Sequence, residues 1–280
     1  MKMASPRHPD WIGKWYGARL WSSLVWLIIT LLTVGYTSLI ILYALLFWWA
    51  DPYRRGAHWL ASLWGRSILG CLPSWRLTVH GRRRLSRRQP YIYVANHQSL
   101  LDIMVLFCIN RPFKWVAKDS LFRIPLLGWA MAATNYIRLS RGKHGSIRDT
   151  YEQARVWLTR GLSVFFFPEG TRSPADQMLP FKNGAFKLAL QTGVPVVPIA
   201  VHGTRDLLAK GRWLFRQRCR IHVTILPPIN PSAYADAERL RDVTRDLIQR
   251  ALVTSSASLT RHARLAQWRR RGRRALRQTG

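Results

Sequence analysis

Negative charge is scarce in this chain. Of 280 residues, 13 are Asp or Glu and 44 are Lys or Arg, a net charge of +31. An imbalance of that size calls for polyanionic partners: nucleic acid, anionic lipid or phosphorylated substrates. Cysteine is scarce too. Cys71, Cys108 and Cys219 lie far apart in sequence, which excludes a disulfide framework and a cysteine metal cluster and fits a reducing compartment. No G-x-S-x-G elbow, H-E-x-x-H pair or Walker loop occurs, so the chemistry those motifs carry has no foothold here. No internal repeat is visible.

The most telling absence is local. Residues 20–50 contain no charged side chain in 31 positions, and about 20 apolar residues suffice to cross a bilayer. The run is too long for a signal-peptide core, and no small-residue cleavage site follows it. It reads as a membrane anchor, either one tilted span or a hairpin bent near Gly35. The arginines behind it favour a main domain on the cytoplasmic side of the inner membrane. Fourteen tryptophans, several beside arginines, fit a membrane interface.

What is present divides the chain into a basic lead-in (1–19), the anchor (20–50), an amphipathic basic connector (51–74), a main domain (75–255) and an Arg-rich tail (256–280). Nine arginines and no acid lie between 54 and 88, and eight arginines between 261 and 280. With an anchor at the other end, anionic membrane lipid is the expected partner of both, and nucleic acid is not expected. In the main domain, β-rich runs at 75–81, 91–95, 113–117, 136–140, 162–168, 194–203 and 220–229 alternate with helical stretches at 99–109, 120–133, 145–160, 183–192 and 233–252. That alternation predicts an α/β fold with a mixed, largely parallel sheet flanked by helices.

Ligands of open α/β sheets bind beyond the carboxyl ends of the strands. His97, Lys118, Arg141 and the stretch FPEGTRS (167–173) all fall there. In NHQSLLD (96–102), five residues separate His97 from Asp102. On an ideal helix they would stand about 140° apart. They meet only if His97 precedes the helix and folds back over its first turn. Ser99 is then a natural N-cap and Asp102 the acid of a capping box. The alternative is chemical: a neutral histidine takes a proton from a hydroxyl, and the carboxylate fixes its tautomer and stabilises the imidazolium. No enzyme nucleophile is needed if that hydroxyl belongs to the substrate.

In FPEGTRS, Pro168 ends a strand and Gly170 permits a tight turn. Thr171, backbone N–H groups and the Arg172 fork suit a phosphate; a plain turn carrying a Glu169–Arg172 surface pair has the same spacing. Lys182, at a predicted helix start, is a further anion-friendly group. Pro195 and Pro198 suggest an edge or irregular strand lining a groove. His202 ends a strand as His97 does, without a nearby acid, and reads as structural.

Taken together these residues resemble a family. NHQSLLD resembles the H-x4-D motif of the glycerolipid acyltransferases, the family that includes 1-acylglycerol-3-phosphate acyltransferase. FPEGTRS is similar to its third motif, KDSLFRIPLLGWAM with YIRLSR to its second region, and VPVVPIAV to its fourth. The resemblance covers roughly residues 75–205. It implies that His97 is the general base and Asp102 its partner, acting on an acceptor hydroxyl that attacks a thioester donor, acyl-CoA or acyl carrier protein. It implies that Arg141, Glu169, Gly170, Thr171 and Arg172 bind the acceptor and that Pro198 lies on the acyl-donor side. No cofactor is expected, and no metal site is visible in the sequence. Many relatives have a glycine and an aspartate where this chain has Asn135 and Ser140, which bears on the acceptor. The expected product is phosphatidic acid, formed from lysophosphatidic acid in phospholipid biosynthesis. The runner-up is the same chemistry on another lyso-lipid, such as a lyso-ornithine lipid. From a different class, a non-enzymatic basic membrane tether would need neither the H-x4-D nor the FPEGTRS motif.

Overall fold

The computed structural model describes residues 10–140, 144–174 and 177–255. Two helices lead: α1 (Asp10–Leu46) and α2 (Arg55–Cys71). An α/β unit follows, with β1 (Trp75–His80), β2 (Ile92–Ala95), α3 (Asp102–Phe107), β3 (Phe113–Lys118), α4 (Leu127–Ala133), β4 (Ile137–Leu139), α5 (His144–Thr159), β5 (Ser163–Phe166), α6 (Gly184–Thr192), β6 (Val196–His202), the one-turn α7 (Thr204–Leu207) and β7 (Cys219–Ile225). A last helix, α8, runs over 237–255. The seven strands form one sheet in the order β1-β7-β6-β2-β5-β3-β4. β6, β2, β5, β3 and β4 run parallel, β7 is antiparallel to β6, and β1 is parallel to β7. The mixed, largely parallel sheet follows the hydrophobic pattern, and all seven expected strands form.

Sequence pattern explains which strands are central. β2 and β5 are buried at every position, as strands covered on both faces must be. Tyr91, Tyr93 and Ala95 point into a core shared with Ile68 of α2 and Phe107 of α3. Ile92 and Val94 point into the opposite core, with Phe186 of α6 and Ile248 of α8. β1 alternates instead, with Trp75 buried and Arg76, Thr78 and His80 exposed, the mark of an edge strand with one open face.

Two expectations change. Residues 120–133 are not one helix. A 3-10 turn (Asp119–Arg123) and α4 are separated at Ile124–Leu126, because Pro125 disfavours helical backbone before it and Leu126 adopts φ 61°. For Pro198 the edge alternative falls and the irregular one holds: β6 lies between β2 and β7. The proline is tolerated because the β6–β7 ladder begins only at Ile199↔Ile225, so no ladder donor is missing. Its carbonyl still accepts the Leu226 N–H at 2.9 Å.

The apolar run forms one unbroken helix through Gly35, with no hairpin. Residues Tyr16–Leu46 are long and apolar enough to cross a membrane. Yet α1 does not stand apart from the domain. Ser22, Val25, Ile29, Thr37, Ile40 and Ala44 form a buried stripe at helical spacing, packed on α2 and α4. Leu20, Leu24, Leu27, Leu31, Leu42 and Leu45 face outward. α2 is pressed in turn onto α3. A Cβ on Gly65 would come within 2.7 Å of the Met104 carbonyl oxygen, so glycine is what lets the two helices approach.

Candidate active site

β2, β5, β3 and β4 are parallel neighbours, so the chain following each emerges at one edge of the sheet. That places His97, the FPEGTRS stretch and Lys118 side by side. β4 ends at Leu139, and Arg141 lies outside the described residues, as does the Arg-rich tail (256–280).

His97 Nδ1 lies 2.8 Å from Asp102 Oδ2. The same oxygen accepts the backbone N–H groups of Gln98 (2.7 Å) and Ser99 (2.9 Å). The two sequence readings of Asp102 are therefore both realised: it caps the turn before α3 and it binds the imidazole. Ser99 is not the N-cap, since α3 begins at Asp102 with Leu101 before it. Its hydroxyl instead donates to the Leu208 carbonyl at 2.7 Å. Asp102 is fully buried and His97 is 15% exposed. With its proton on Nδ1, donated to the carboxylate, His97 leaves Nε2 as an acceptor. The ring is clamped from one side: Phe167 stacks on it at 4.0 Å and 16°, and Trp115 stacks on Phe167 at 5.4 Å and 18°.

The two motifs are tied together through their backbones. Glu169 Oε1 accepts the His97 N–H at 2.7 Å, Glu169 Oε2 accepts the Leu179 N–H at 2.8 Å, and Ser173 N–H donates to the His97 carbonyl at 2.8 Å. Glu169 thus serves as a brace between the two motifs. Its carboxylate is buried and turned inward, and a carboxylate would repel a phosphate. Burial pushes its carboxyl above the usual range, opposed by the N–H bonds from His97 and Leu179. Gly170 holds φ 73°, which lets the loop reverse over the site. Asn96, absent from the sequence reading, bridges the Val201 N–H and carbonyl at 2.8 and 2.9 Å and locks β2 to β6 beside the histidine. A buried asparagine at a strand end was the signal for it.

A cavity of 620 Å³ opens on His97. Much of its lining is apolar: Ile29 and Ile40 of α1, Met104 and Phe107 of α3, Ala130 and Met131 of α4. Gly170, Thr171, Arg172, Lys118 and Lys182 line it too. The site therefore combines apolar surface, cationic groups and a histidine in one cavity. Pro198 does not line the cavity. Val196 and Ala200, on either side of it along the strand, belong to the opposite core, under α6 and α8. Asn135 sits at φ 56°, a conformation open to glycine and asparagine alike. Its departure from the family's glycine is conformationally neutral.

The comparisons agree with this geometry. Residues 76–202 match the family model described as Acyltransferase. This stretch carries an acyltransferase domain. The chain is 38% identical over 204 residues to a 1-acyl-sn-glycerol-3-phosphate acyltransferase of Chlamydomonas reinhardtii, covering 72% of this chain and 60% of that protein. It is 39% identical over 184 residues to the chloroplastic 1-acyl-sn-glycerol-3-phosphate acyltransferase LPAT1 of Arabidopsis thaliana, covering 65% and 51%. The corresponding yeast enzyme is 36% identical, covering 69% and 66%. The chain spans less than two thirds of the length of each of these curated relatives. Among solved structures, the 1-acyl-sn-glycerophosphate (LPA) acyltransferase PlsC of Thermotoga maritima superposes with a TM-score of 0.76 at 28% identity, over 86% of this chain and 97% of that one.

Proposed function

We propose that this acyltransferase moves a fatty acyl group from a thioester to the sn-2 hydroxyl of 1-acylglycerol-3-phosphate, giving phosphatidic acid. One observation carries the reading. The His97–Asp102 pair opens on a cavity lined by both apolar and cationic side chains, which suits an amphiphile carrying a phosphate and a hydroxyl to be deprotonated. The activity in the relatives' names supports the same acceptor.

In the mechanism, His97 Nε2 takes the proton of the acceptor hydroxyl as its oxygen attacks the thioester carbonyl. Asp102 holds the ring and stabilises the imidazolium. The tetrahedral intermediate then collapses: the C–S bond breaks and the imidazolium returns its proton to the leaving thiolate. No acyl-enzyme forms and no cofactor enters, because the thioester brings its own activation. Arg172, with Lys118 and Lys182 at the rim, binds the acceptor phosphate through charge-assisted contacts. The donor is acyl-CoA or acyl carrier protein. α1 presents its outward leucines to lipid, and the catalytic unit works on the cytoplasmic side of the inner membrane.

The test is a transfer assay on purified protein with labelled acyl-CoA or acyl carrier protein and a panel of lyso-lipids. Label in phosphatidic acid is the expected result. Label confined to another lyso-lipid would keep the chemistry and move the acceptor, with Asn135 and Ser140 the residues to exchange. No transfer from either donor to any acceptor would leave a basic membrane tether.

A further inference from the structure

The segment between α7 and β7 is unlike the other connections at this edge of the sheet. Trp213 and Leu214 are exposed by 45% and 37% at its tip. Exposed Arg212 and Arg216 flank them, and Lys210 and Arg218 lie just beyond. From residue 207 to residue 235 the sequence holds five basic residues and no acid.

The tip is bolted to α1. Phe215 is buried between Trp26 and Trp75, at ring distances of 5.1 and 5.4 Å. The Phe215 N–H donates to Ser22 Oγ at 2.8 Å, and Trp26 Nε1 donates to the Trp213 carbonyl at 2.9 Å. The Arg19 guanidinium lies 5.9 Å over the Trp213 ring. These bonds hold the Trp–Leu pair against the Arg19–Trp26 stretch of α1, which also carries the exposed Leu20 and Leu24. The segment also reaches the active site, since Lys210 Nζ donates to the Arg172 carbonyl at 3.0 Å.

We propose that residues 210–218 form a second membrane-docking element: Trp213 and Leu214 enter an anionic leaflet beside α1, while Arg212 and Arg216 hold lipid phosphates. The proposal rests on the reading that α1 contacts the membrane, and its occupant follows from two features. The apolar tip continues the apolar face of α1, and the flanking charge is all positive. An amphipathic ring with a polar edge, next to arginine, is the side chain favoured at the headgroup level. Each arginine near an anionic surface strengthens binding about fivefold. The consequence for the enzyme is orientation: α1 alone fixes one line in the membrane, and a second contact fixes the rotation of the domain about that line.

The experiment places an environment-sensitive fluorophore at 214 (Leu214→Cys), in full-length protein with Cys71→Ser and Cys219→Ser, and quenches it with nitroxide-bearing lipid. Leu27→Cys on α1 is labelled in parallel, so that failure of the membrane reading itself is separable. Vesicles are phosphatidylcholine with and without phosphatidylglycerol. The expected result is quenching at both positions, with quenching at 214 requiring phosphatidylglycerol. Arg212→Gln with Arg216→Gln should weaken quenching at 214 by about 30-fold in the anionic lipid needed, while turnover on detergent-dispersed acceptor stays unchanged and reports an intact fold. Quenching at 27 without quenching at 214 would overturn the proposal. So would quenching at 214 that ignores both phosphatidylglycerol and the two arginines. Quenching at neither position would remove the membrane reading along with it.

Discussion

His97 and His202 stand at the ends of neighbouring parallel strands, at the same edge of one sheet. Their surroundings differ in every respect that matters to chemistry. His97 Nδ1 is held by a buried carboxylate, its ring is stacked on Phe167, and it opens on a cavity. His202 Nδ1 is buried without a hydrogen-bond partner, and its cross-strand neighbour is another histidine, His222. Position at a strand end does not make a base. A turn that folds a carboxylate back onto the ring does, because the acid decides which nitrogen carries the proton and stabilises the charge that forms.

Substitutions can break this contrast, the most damaging first. Asp102→Asn keeps the shape and the acceptor for the Gln98 and Ser99 N–H groups while removing the charge opposite the imidazolium. It should lower kcat about 10²–10⁴-fold, measured by acyl transfer at saturating substrates; a loss under tenfold would make Asp102 only a cap. Arg172→Ala should raise the acceptor KM about 10–100-fold with kcat nearly intact, because a charge-assisted contact is made equally in ground and transition states. A KM change confined to the donor would reverse the assignment of that loop. Phe167→Leu removes the ring clamped against His97 and should lower kcat about tenfold without moving either KM, with Phe167→Tyr restoring most of the rate. Both KM values rising together would instead mean a collapsed cavity. At the small end, His202→Gln should change kcat less than about twofold, measured in the same assay, since no charge forms there in the reaction.

The same contrast shows what could be read from sequence. All seven strands were legible, because burial on both faces leaves continuous apolar runs and an edge leaves alternation. The pairing of His97 with Asp102 was legible as a geometric condition, a turn preceding a helix, but its double use as cap and partner was not. Spacing cannot say that one carboxylate oxygen accepts three N–H groups. The orientations of Glu169 and Pro198 were not legible, for a shared reason. A motif names residues that belong together in sequence without saying which side of the backbone each occupies, and both turn away from the cavity. Phe167 could not be singled out among three consecutive phenylalanines (165–167), since only the third lies against the imidazole. α1 read correctly as apolar, but no pattern showed that one stripe of it packs along the domain and closes the chamber.

The central claim is that His97 takes the proton from the acceptor hydroxyl. The most direct test is single-turnover transfer from labelled acyl-CoA to lysophosphatidic acid, by wild type and His97→Ala, at saturating acceptor and with the melting temperature of each recorded. The account predicts a loss of at least about 10²–10⁴-fold in a protein that remains folded and still binds acceptor. A folded His97→Ala variant that transfers the label within tenfold of wild type would contradict it.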